Sequence, residues 1–192
     1  MTTSGANSQA NNGTSKGRLK NISFEPVASD QGVYQISSKY VLRMTLANSF
    51  ELGMRLVLEF SSDAVGYQPI SDAACTVKSS IIEVADAYIC QIESSKKSLT
   101  IENFTKQTIE SGTVLELELG ALRVRNPASI RYSSTVSVST VSGDIVIDSG
   151  TSVPFSPTPS RLLLAQINPS SLMSNEQDVE YTVTIQPSGP IP

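Results

Sequence analysis

The chain has 192 residues, 14 lysines and arginines against 18 aspartates and glutamates, a formal net charge of -4, and neither histidine nor tryptophan. Without histidine there is no Ser-His-Asp or Cys-His catalysis and no imidazole metal ligand, so no catalytic residue, metal or other cofactor is expected. Acidity without a basic block argues against nucleic acid as a partner, and no apolar run reaches the ~20 residues that span a bilayer as a helix, so no membrane insertion is expected within this segment.

In chain order, residues 1–20 (MTTSGANSQANNGTSKGRLK) are Gly, Ser, Thr, Asn and Gln with three basic residues. They bring too little apolar area to order themselves and read as a flexible arm or linker. They contain no apolar segment of the kind a secretory signal needs. The chain is therefore expected to be either a piece of a longer precursor or cytosolic, and the repeat described below favours the piece.

From residue 21 to about 150 the pattern has period two. Tyr40, Leu42, Met44 and Leu46 alternate with Val41, Arg43 and Thr45, and Met54, Leu56, Leu58 and Phe60 alternate with Arg55 and Glu59. Leu115, Leu117 and Leu119 alternate with Glu116 and Glu118, and Val136 and Val138 with Ser137 and Ser139. Such alternation marks antiparallel strands with one face on a core and one in water. Shorter runs lie at 76–78, 81–92 and 98–104, and only 81–88 could pass for a helix, against its β-branched residues. Turn chemistry separates the runs, as at Ser111-Gly112, Asn126-Pro127 and Ser142-Gly143-Asp144. Seven or more short strands at this spacing predict an all-β sandwich.

Residues 151–160 (TSVPFSPTPS) read as a Pro/Ser linker, and a second apolar region, 161–192, follows. Its strand places Val179, Tyr181, Val183 and Ile185 on one face, matching Tyr40, Leu42, Met44 and Leu46 at a constant spacing of 139 residues. Ile22-Ser23-Phe24-Glu25-Pro26 likewise matches Ala165-Gln166-Ile167-Asn168-Pro169. Internal periodicity is the mark of array proteins, so one complete unit (21–150) followed by the opening strands of a second is expected. The strand 179–185 then pairs with a neighbouring repeat or with another copy of the chain.

Cys75 and Cys90 are either a disulfide closing a β loop or two buried thiols. Asn12, Asn21 and Asn103 each head an N-x-[ST] glycosylation signal, whereas Asn168 is followed by proline. Together with the cysteines these favour an extracellular or cell-surface location.

The segment running from Cys75 and Cys90 through Leu99-Thr100-Ile101, Ser111-Gly112-Thr113-Val114-Leu115, Gly120-Ala121-Leu122-Arg123-Val124-Arg125-Asn126-Pro127, Ser134–Thr140 and Ile147-Asp148 resembles a repeat unit of very long surface proteins of ciliates and other protists. That unit has two cysteines around a hairpin, a G-x-x-N-P turn and a late strand ending in Ile-Asp. Its Asn-x-Ile-Pro entry to the third strand is similar to Ser188-Gly189-Pro190-Ile191-Pro192, while Ser49-Phe50-Glu51-Leu52-Gly53 departs from it. The resemblance covers about 21–192. It implies an immunoglobulin-like β-sandwich serving as an extracellular, tandemly repeated structural module, and it implies no activity.

Other features are weighed against plain alternatives. Asp63, Asp72, Asp86, Asp144 and Asp148 could gather around Ca²⁺, but no loop has calcium-loop spacing, so solvated turns are expected. Glu116 and Glu118 are read as an outer strand face rather than an acid/base pair. Tyr34, Tyr40, Tyr67, Tyr88, Tyr132 and Tyr181 could form a sugar-stacking platform, yet Tyr40 and Tyr181 occupy core positions. Arg123 and Arg125 face solvent or an inter-domain contact. The expected role is a structural repeat of a filament or stalk, with neighbouring repeats or copies as partners. The alternatives are an adhesin or carbohydrate-binding module that takes glycans at the sandwich-end loops and, below it, a jelly-roll capsid protein, whose arm is usually more basic than Lys16, Arg18 and Lys20.

Overall fold

A computed structural model describes residues 16–32, 35–63, 65–128, 130, 134–159, 162–172 and 177–187. The Asn12 signal, Tyr34, Tyr132 and the segment 188–192 lie outside the described residues. The strands are β1 (Gly17–Arg18), β2 (Lys20–Pro26), β3 (Ile36–Ser37), β4 (Tyr40–Thr45), β5 (Arg55–Phe60), β6 (Gln68–Pro69), β7 (Ala73–Ala74) and β8 (Thr76–Lys78). They continue as β9 (Ile89–Glu93), β10 (Ser98–Glu102), β11 (Val114–Gly120), β12 (Val124–Arg125), β13 (Val136–Ser142), β14 (Ile145–Thr151), β15 (Leu162–Pro169) and β16 (Tyr181–Pro187).

The fold is an all-β sandwich. One sheet runs β2-β4-β11-β8 and the other β1-β14-β13-β5-β10-β9-β7, with a small β3-β12-β6 sheet beside them. The alternating sets meet across the ladders. Leu115, Leu117 and Leu119 lie opposite Met44, Leu42 and Tyr40. In the second sheet Leu99 and Ile101 lie opposite Leu58 and Leu56, which in turn oppose Val138 and Thr140. All of these side chains are buried in one core shared by the two sheets. Gly143 opens the two-residue β13–β14 loop at φ +56°, a conformation that side chains rarely adopt.

Three segments differ from expectation. The arm is in the fold by residue 17: β1 pairs parallel with β14, and Leu19 is buried and donates its N–H to the Ser149 carbonyl at 3.0 Å. The Pro/Ser stretch expected as a linker is fastened to the sandwich through residue 158. Val153 donates to the Ile22 carbonyl (2.8 Å), Phe155 bridges Ser134, and Thr158 donates to the Gln31 carbonyl (2.8 Å). Its prolines remove donors and prevent a continuous ladder, but the residues between them pair singly, and Phe155 stacks on Tyr67 at 5.8 Å. Residues 81–88 form neither helix nor strand; Val84 alone bridges Thr105, and the regular strand begins at Ile89.

Candidate functional site

β15 and β16 form a two-stranded antiparallel sheet that shares no ladder with the other sheets among the described residues. Ala165 pairs with Ile185, Ile167 with Val183 and Pro169 with Tyr181. Directly opposed residues project to the same side of a sheet, so these six form one apolar face, with Gln166, Asn168, Thr182, Thr184 and Gln186 on the other. The apolar face is in water: Ile167 and Tyr181 are each 65% exposed, Val183 57% and Ile185 59%. A two-stranded hairpin is marginally stable by itself.

The pairings repeat those of β2 with β4, where Phe24 lies opposite Leu42 and Pro26 opposite Tyr40. In both pairs a proline at the end of the first strand meets a tyrosine at the start of the second. Both ladders also slip by one residue on the first strand, between Lys20 and Ser23 in one and between Leu162 and Leu164 in the other. This pairing sets Tyr181, rather than Val179, against Tyr40, two residues along from the expected correspondence. Val179 precedes the strand and follows Asp178, whose φ is +62°. Because the side-chain period is two, the shift leaves the apolar face intact.

Cys75 and Cys90 form a disulfide with Cα atoms 5.0 Å apart. Cys75 sits between β7, the edge of one sheet, and β8, the edge of the other, so the bond fastens the crossover where the chain changes sheets. Its N–H also donates to the Cys90 carbonyl at 2.9 Å. Asn21 and Asn103 are exposed and lie at strand ends with φ of +50° and +53°.

The carboxylates do not converge, and no cluster able to hold a metal ion occurs among the described residues. Asp148 is buried and takes the Asn48 side-chain amide (2.6 Å) and backbone N–H (3.1 Å). Asp72 accepts the Ser94 N–H and hydroxyl, both at 2.7 Å, which hold its carboxyl below the usual range. Asp86 and Glu83 flank Lys106 at 3.5 and 2.6 Å, and Asp144 stands 3.8 Å from Arg55. Glu116 meets Arg43, its cross-strand partner, at 2.6 Å on the outer face of the four-stranded sheet. That ion pair holds the Arg43 guanidinium above its ordinary pKa. Arg123 is exposed and Arg125 half-buried.

Nor do the described tyrosines make a platform. Tyr40 and Tyr67 are buried with Phe24, Phe60 and Phe155 in one aromatic cluster, Phe24 stacking on Tyr40 at 4.6 Å. Burial pushes both phenols well above their ordinary range. The Tyr67 hydroxyl donates to the Phe24 carbonyl (2.8 Å), and Tyr40 donates to the Asn126 side chain (2.9 Å).

Asn126 was legible only as a turn residue, yet it is a buried hub. Its side-chain N–H₂ donates to the Asp30 and Gly32 carbonyls at 2.6 and 2.9 Å, tying the β2–β3 connection to the end of β12. Asn126 followed by proline was the available signal, since an asparagine so placed is free to bond to a neighbouring backbone rather than continue a strand.

No protein-family model matches the chain, and a search of curated proteins finds no match. No helix among the described residues is long and apolar enough to cross a membrane.

Proposed function

We propose that this chain is a non-catalytic structural unit of an extracellular filament or cell-surface stalk, assembling end to end with neighbouring repeats or further copies of itself. The observation that carries the reading is the β15–β16 hairpin, which repeats the β2–β4 pairing while leaving in water the face that β2–β4 buries. The hairpin is the opening pair of a second sandwich, whose remaining strands come from a neighbour. The immunoglobulin-like assignment belongs to the same reading. The order β2-β4-β11-β8 follows that fold's A-B-E-D sheet, and β14-β13-β5 follows its G-F-C sheet. β10, β9 and β7 extend the second sheet, and the disulfide ties the β7–β8 crossover to β9 rather than joining the second and sixth strands of the fold. The bridge suits an oxidising compartment, and Asn103, exposed just after β10, is a glycan acceptor there.

The test is sedimentation of the full chain over a concentration series, beside a variant carrying Ile167→Asp and Val183→Asp. Concentration-dependent association of the parent, lost in the variant while the thermal transition of the sandwich is unchanged, is the expected result. A parent as monomeric as the variant up to millimolar concentration contradicts assembly through this face.

A further inference from the structure

A second surface lies on the opposite part of the chain, at the edge of the larger sheet. β1 is the terminal strand of that sheet, and Lys16, Arg18 and Lys20 alternate with Gly17 and Leu19. Leu19 is buried, and a Cβ at Gly17 would run into Asp148 and Asn48, so the Gly17–Leu19 side faces inward. All three cationic residues are exposed: Lys16 just before β1, Arg18 within it, and Lys20 at the start of β2 in the four-stranded sheet.

They border a groove of about 790 Å³ whose wall also carries Asn21, Ser149 and Thr151 and includes no carboxylate. No ion pair involves any of the three cations among the described residues, although the described surface holds several such pairs elsewhere. Asp148, the ladder partner of Gly17, lies beneath β1 with its oxygens engaged by Asn48. A cationic stripe in a concave, hydroxyl- and amide-edged groove, on a chain of net charge -4, is a localised field for an anion.

We propose that this groove binds a sulfated polysaccharide. An acidic peptide fits it less well, because β1 is two residues long and leaves too little free strand edge for main-chain pairing to anchor a peptide. Affinity here comes from charge supplemented by hydroxyl and amide hydrogen bonds, which a stiff, multiply charged and hydroxyl-rich chain supplies. The site does not depend on the hairpin face and holds whether or not the chain assembles in series.

The experiment titrates the full chain with heparin by calorimetry at low and at physiological salt, with neutral dextran, polyglutamate and duplex DNA as comparison ligands. One variant combines Lys16→Gln, Arg18→Gln and Lys20→Gln, and a control combines Lys78→Gln and Arg123→Gln, two exposed cations outside the groove. Heparin binding that weakens with salt, drops at least tenfold in the groove variant and is kept by the control is the expected result. No binding of heparin at low salt, equal loss in both variants, or binding of polyglutamate or DNA as tight as that of heparin overturns the assignment. Circular dichroism of each variant confirms that all fold alike, so a lost signal reports the groove.

Discussion

Two strand pairs of this chain, β2–β4 and β15–β16, share one pairing scheme and differ in what covers them. In the first, Ile22, Phe24, Tyr40, Leu42 and Met44 are buried against the opposite sheet; in the second, Ala165, Ile167, Tyr181, Val183 and Ile185 occupy the corresponding places in water. Local signals build both ladders equally well: alternation, a proline-terminated first strand, and a one-residue slip. Tertiary context alone decides whether the apolar face becomes core or surface. The same sequence logic can therefore produce a folded half-sandwich or an exposed apolar face, depending on what lies opposite.

The sharpest way to break this comparison is to truncate matched residues. Leu42→Ala removes a fully buried side chain and should cost about 2–5 kcal/mol in urea unfolding of the sandwich. Its structural counterpart Val183→Ala should change that transition by less than about 0.5 kcal/mol. Equal effects would mean that the second hairpin is core after all. If the Val183 effect grows with protein concentration, the neighbour that covers it is another copy.

Next in size is the cross-link, which the second hairpin lacks. Reducing and alkylating Cys75 and Cys90 should lower the stability of the sandwich by about 3 kcal/mol for a loop of this length. Limited proteolysis of the reduced protein should open the crossover between β7 and β9 first. Cleavage confined to 160–187 both before and after reduction would show the bond to be redundant.

A similar contrast separates buried from exposed tyrosines. The folded state keeps Tyr40 and Tyr67 protonated well above the ordinary range, whereas the unfolded chain ionises them near pH 10. Their contribution to stability is therefore complete below pH 10 and declines as pH rises beyond it, by about 1.4 kcal/mol for each tyrosine at pH 11. Stopped-flow absorbance after a jump to pH 11.5 should show these two phenols ionising only with unfolding. Their immediate ionisation would place them in water.

The sandwich was legible because its main strands obey a strict period. Leu115-Glu116-Leu117-Glu118-Leu119 and Arg55–Phe60 state both their faces and their conformation, and the faces meet in register. Segments that pair singly carry no such period. The stretch 152–158 is held by isolated bonds between prolines and by one aromatic contact, so its composition resembles a linker while its packing does not. The cationic groove was invisible for a related reason: Lys16, Arg18 and Lys20 lie in a polar stretch, and only pairing with β14 turns Leu19 inward and aligns them. The position of β16 was misplaced by two residues because alternation fixes which face a residue takes but not its partner across the ladder.

The smallest expected effect lies at the far edge of the larger sheet, where Asp72 before β7 accepts two bonds from Ser94 after β9. These bonds hold the carboxyl below its ordinary value, so the unfolded chain takes up the proton first as pH falls. The stabilisation is present at neutral pH and is lost as pH drops through the ordinary carboxylate range and below. Because the site is exposed, solvent screening keeps the effect modest. Comparing urea midpoints at pH 7 and pH 3 should give a slightly smaller difference for Asp72→Asn than for the parent. An unchanged difference would show that the Ser94 bonds do not persist in solution, and that this edge, like the C-terminal hairpin, is held by its ladder alone.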